Sequence, residues 1–219
     1  MIERNLASIL AARVASVLSQ IETLKKEQRY EEAIHEINES LRTDLGLSAR
    51  FVKGLTGQDL LGMLRSGLIS VDRLVVLAKL IKERADINWA QSQPDNGLIR
   101  TLKALTLYLE AFGGGQKSAF AGYFSDIEGL ADNLGDYQLP PDLRMKLFRY
   151  YEQAAKYSKA EDVLFEGLEA SAGSGWIEEG RKFYERLAGK SDEELASGNL
   201  PREELEESRA ELARFDSHD

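Results

Sequence analysis

The residues able to carry chemistry are few: two histidines, a glycine-rich loop and scattered carboxylate pairs, with no cysteine anywhere. GGGQKS, residues 113–118, has the small residues and the lysine with which a loop cradles phosphate. The phosphate-loop pattern is G-x-x-x-x-G-K-[ST] after a strand. Here Ala111 and Gln116 occupy its two glycine places and a helical pattern precedes them, so the glycines are read as a helix stop. Glu32-Ala33-Ile34-His35 has the Glu-x-x-His spacing of di-metal helical bundles, but such a site needs a second copy and further carboxylates. The other histidine, His218, lies near the end of the chain. A Ser-His-Asp arrangement would have to use His35, and no Gly-x-Ser-x-Gly turn accompanies it. The acidic pairs (Glu31-Glu32, Asp192 to Glu194, Glu203-Glu204, Glu206-Glu207) fall on polar helix faces or in first turns, where negative charge favours the helix N-terminus. The expectation is therefore no catalytic residue, no cofactor and no metal.

Composition narrows the partners. The net charge of -9 repels a phosphate backbone, and no run of Lys and Arg advertises a basic patch, so nucleic acid is not expected. Lack of cysteine excludes disulfides and thiolate metal sites and fits a reducing compartment. The apolar N-terminus carries Glu3 and Arg13 where a signal peptide would carry neither. No stretch is long and apolar enough to span a membrane, so a cytoplasmic protein without a membrane partner is expected.

The elements follow from apolar periodicity. Leu6, Leu10, Val14, Val17, Ile21 and Leu24 share one face of a helix over 2–26. Tyr30, Ala33, Ile37 and Leu41 share a face of the next, which ends near Gly46. Thr56 to Asp59 reads as a capping box for a short helix closing at Gly67, and Ser70 caps a helix over 71–90. Residues 92–97, SQPDNG, read as a turn. A helix over 97–112 then points Ile99, Leu102, Leu105, Leu109 and Phe112 inward, and a weaker one spans Ser118 to Leu134. Pro141 opens a helix, Tyr157 begins another, a Gly/Ser break precedes a third, and Ser191 and Pro201 open the last two. No run alternates as a strand. The fold class is all-α, about nine or ten helices in a helical-hairpin array within one domain over 1–219. Its parts are 1–90, 94–135 and 141–216.

Residues 141–187 resemble the tetratricopeptide repeat. Ala160 takes the small-residue place, with Tyr157 before it and Tyr151 in the preceding helix; Trp176, Gly180 and Phe183 restart the pattern. Tyr30, Ala33, Ile37 and Leu41 repeat the offsets of Tyr157, Ala160, Leu164 and Leu168. Phe148 and Gly167 depart from the family's usual residues. The whole chain also resembles an uncharacterised family of mostly Gram-positive bacterial proteins, through KKEQRYEEAIHEI, LTGQDLLGML and KSDEELASGNLPREELEE. The first resemblance implies a right-handed array whose concave side binds protein or peptide. Its groove positions become Met145, Arg149, Glu152, Gln153, Ile177, Arg181, Tyr184 and Glu185. Arg149 and Arg181 would form one wall suited to a carboxylate, or else pair with neighbouring glutamates such as Glu178. A protein- or peptide-binding scaffold, monomeric through internal packing of its first helix, is the leading expectation. A hydrolase with a site between helices and a homodimeric regulator joined by the first helix are the alternatives.

Overall fold

One kind of turn recurs through the chain. Gln28 (φ 59°), Ser92 (φ 56°), Ala155 (φ 54°) and Asn199 (φ 57°) each stop a helix in the left-handed conformation. In each, the next residue's N–H returns to a carbonyl five residues back: Arg29 to Leu24, Gln93 to Asn88, Lys156 to Tyr151 and Leu200 to Leu195. The turn satisfies the last carbonyls of one helix and starts the next within a few residues. The computed structural model describes residues 2–115, 117–135, 137–170 and 174–215. Among them are twelve α-helices, one 3-10 turn and no strand, so the protein is all-α. The Gly/Ser break at 171–173, Gln116 and His218 lie outside the described residues.

The chain divides into two compact units, Met1–Tyr137 and Gln138–Asp219. In the first, α1 (Ile2–Lys26) and α2 (Tyr30–Leu45) form one hairpin, and α5 (Val71–Ala90) and α6 (Pro94–Gly113) form another. Between them run the short α3 (Ala49–Gly54) and α4 (Gly57–Arg65); a 3-10 turn (Ala121–Ser125) and α7 (Asp126–Asp132) close the unit. Helix α2 packs on α5, α4 and α7 pack on α6, and α1 reaches α5. Helix α5 is thus covered on several sides. Val75, Val76, Leu80 and Ile87 are buried beside the expected Leu74, Leu77, Ala78 and Ile81.

Three expectations are corrected in this unit. Pro94 to Gly97 is the first turn of α6, not a loop, because Pro at the first helical position gives up no hydrogen bond. Gly97 is needed there: a Cβ would lie 2.7 Å from the Trp89 indole. Ile99 is 59% exposed, since the buried stripe of α6 runs through Thr101, Ala104, Leu105 and Tyr108. The helix expected over Ser118 to Leu134 is broken into the 3-10 turn and α7. The capping box read at Thr56 and Asp59 is present, and Ser191, read as opening a helix, forms one with Glu194.

In the second unit, α8 (Pro141–Gln153) and α9 (Tyr157–Ala170) form a hairpin. Helix α10 (Ser174–Ala188) packs on α9, and α12 (Arg202–Phe215) packs on α10 and on α11 (Asp192–Ser197). The landmark residues Tyr151, Tyr157, Ala160, Leu164, Leu168, Trp176 and Phe183 are all buried. Phe148 packs edge-on against Trp176 and Phe183, with ring centroids 6.1 and 5.3 Å away. Gly167 makes room for that indole, and a Cβ on Gly180 would crowd Leu164 and Leu212.

Candidate binding trough

Helix α5 packs on both α2 and α6, and between those two runs a solvent-open trough of about 470 Å³, with α3 also lining it. Each wall is a single helical stripe at i, i+3, i+4 and i+7. Helix α2 supplies Ile34, Ile37, Asn38 and Leu41; α6 supplies Asn96, Ile99, Arg100 and Lys103. Leu80, Ile81 and Arg84 of α5 line it between them, and α3 adds Arg50, Val52 and Lys53. The lining is apolar with five cations, and no Asp or Glu contributes among the described residues.

These cations are not neutralised locally. Among the described residues none of the five comes within ion-pair distance of a carboxylate. Lys103 Nζ donates to the Val52 carbonyl at 3.0 Å and Arg100 Nη1 to that of Asn96 at 3.2 Å. Arg84 Nη1 is buried and donates to nothing. Burial lowers the pKa of Arg84, and the charge of Arg100 lowers it further against a weaker pull from Glu31. Burial also lowers Arg100. It lowers Lys103 as well, with Arg100 adding to the effect and Asp59 opposing it. Cations held together under partial desolvation favour an anion.

A second polar cluster in the same unit has its charges answered. Glu83 is 7% exposed and accepts from Lys25 at 2.5 Å, with Lys79 at 3.1 Å and Lys82 at 3.5 Å. Asp86 takes Lys25 and Lys82 at 2.7 and 2.9 Å; Asp126 takes Lys79 at 2.8 Å and the Tyr108 hydroxyl at 3.1 Å. Burial alone would raise the Glu83 carboxyl, but the charges of Lys82, Lys25 and Lys79 hold it at about 2. Burial pushes the Tyr108 hydroxyl well up, and Asp126 adds to that. This cluster ties α1, α5 and α7 together and leaves no partner to seek.

The motifs singled out in the sequence are accounted for separately. Ser118 Oγ and the Ala119 N–H donate to Asp72 Oδ1 at 2.7 and 2.9 Å, anchoring the end of the glycine-rich loop to the first turn of α5. His35 is exposed, and Glu32 is engaged by Arg29 at 2.6 Å. Among the described residues no three His, Cys, Asp or Glu gather as a metal would require.

The eight groove positions on α8 and α10 divide. Ile177 and Tyr184 are buried core, because α10 packs on both α9 and α12; Tyr184 donates its hydroxyl to the buried Glu161 at 2.7 Å. Those two therefore offer little surface to a partner. Met145 and Glu152 are half-buried; Arg149, Gln153, Arg181 and Glu185 are exposed. Arg149 lies 3.7 Å from Glu179 and Arg181 lies 3.7 Å from Glu178. Glu152 is held bidentate by Arg186 at 2.6 and 2.9 Å, so local carboxylates already answer this face. The trough in the first unit was missed because its cations come from α3, α5 and α6. The one available signal was Arg100 and Lys103 at helical spacing beside Ile99, a stripe off the apolar face.

Among the described residues no helix is long and apolar enough to cross a membrane. Neither the curated proteins nor the solved structures contain a match to the chain. Residues 1–216 match the family of unknown function DUF6483, and the chain belongs to that family.

Proposed function

We propose that the protein is a cytoplasmic binding scaffold that holds another protein or a peptide on its helices. The observation behind this reading is the trough between α2 and α6: apolar, lined by five cations and without a carboxylate of its own among the described residues. Helical surfaces of this kind serve mainly as recognition faces. The α8–α9 hairpin with α10 is tetratricopeptide-like in its residue places, which supports the same class of function by analogy. Nucleic acid is disfavoured by the net charge of -9. Monomeric packing fits an α1 whose Val14, Ile21 and Leu24 are buried within the chain. Affinity capture from the native cytoplasm tests the reading, with the parent compared against Ile99→Glu in the trough and Arg149→Ala/Arg181→Ala on α8 and α10. Partners lost with Ile99→Glu support the trough. A partner set unchanged in both variants, each still folded, refutes the scaffold reading.

A further inference from the structure

Resting on the scaffold reading, we infer that the trough takes an acidic amphipathic helix from a partner protein. The walls of α2 and α6 each present i, i+3, i+4 and i+7 side chains, a length of about 10 Å or two helical turns. That is the length over which one helix face offers its apolar anchors. Half-buried Ile34 and exposed Ile99 give those anchors an apolar seat above a floor of buried Ile37, Leu41, Leu80 and Ile81. Arg84, Arg100 and Lys103 stand along it with no carboxylate in ion-pair reach among the described residues, so acidic residues flanking the anchors supply the missing charge. Arg84 Nη1 is buried and donates to nothing among the described residues, so this guanidinium is not fully satisfied within the chain. Strand addition is not open to a partner here, because it needs an unpaired sheet edge and the described residues contain no strand. A lone small anion would leave most of the apolar seat unused.

The test is selection of a phage-displayed library of helical peptides on the full-length chain, with selected peptides then measured by fluorescence anisotropy. Two variants serve as controls. Ile99→Glu places a carboxylate at an exposed position and leaves the core intact. Arg84→Ala/Arg100→Ala removes charges that burial disfavours. Circular dichroism checks that both fold. The expected peptides are net acidic with apolar residues at i, i+3 or i+4, weaken as salt rises, and bind each variant at least roughly tenfold more weakly. Enrichment of neutral or basic peptides, no enrichment, or equal binding to the variants overturns the inference. So does binding of anionic vesicles or duplex DNA, or self-association, that these variants abolish while no acidic helix binds. If Ile99→Glu loses cellular partners yet the library returns no acidic helices, the ligand class is wrong and the scaffold reading stands. If capture ignores Ile99→Glu and Arg149→Ala/Arg181→Ala alike, the scaffold reading itself fails.

Discussion

Replacing Glu83 by Gln removes one negative charge from the centre of three lysines while keeping shape and one acceptor oxygen. The carboxyl sits at about 2 instead of the ordinary 4.5. That difference is worth roughly 3 kcal/mol of folding free energy at neutral pH. Breaking a buried pair from one side typically costs about 3–5 kcal/mol, so the two routes agree. The sign follows from the direction of the shift. A carboxyl lowered by folding contributes fully above its unfolded value and loses that contribution as pH falls toward its folded value. The gap between parent and Glu83→Gln should therefore be roughly 3 kcal/mol at pH 7 and fall to roughly half of that or less at pH 3. Urea unfolding measures it, followed by Trp89 fluorescence in a Trp176→Phe background so that only the first unit reports. A gap below about 1 kcal/mol at pH 7, or one independent of pH, refutes the reasoning.

The remaining predictions concern the second unit. Ala160 is fully buried in the α8–α9 hairpin, so Ala160→Leu overpacks it and should cost about 1–3 kcal/mol in thermal unfolding. A Cβ at Gly167 would sit inside contact distance of the Trp176 indole, so Gly167→Ala should destabilise and shift Trp176 emission. Tyr184→Phe deprives the buried Glu161 of one of its two hydroxyl donors, Ser208 being the other, and should cost about 1–3 kcal/mol in urea melts. Ala155 holds φ 54° at the α8–α9 turn, so Ala155→Gly should stabilise by about 1 kcal/mol; a loss of stability would mean that the turn is unstrained.

How much was legible depended on where the signal was local. Helices α1 and α2 were readable because each carries a continuous apolar stripe within its own span. The Thr56 capping box, Ser191 and Pro141 are equally local signals. Helix α3 escaped notice because it has only six residues, although Ser48 accepts from the Phe51 N–H as a cap should. The 92–97 segment misled because Pro and Gly usually mark turns. Here Pro94 starts a helix and Gly97 admits an indole. Ile99 misled because apolar periodicity cannot tell a core stripe from an apolar rim beside it. The trough was illegible for a different reason: its cations lie as far apart as Arg50 and Lys103 in the chain, and only the packing of α2 and α6 on α5 brings them together. Arg149 and Arg181 stood out by equivalent places in α8 and α10, but Glu178 and Glu179 lie beside them.

Amide hydrogen exchange of the full chain, with and without a partner recovered by capture, tests the central claim most directly. The account predicts slowed exchange in α2, α3 and α6, the helices that line the trough with α5, and no such slowing in Ile99→Glu. Protection confined to 138–219, or equal protection in parent and Ile99→Glu, would contradict it.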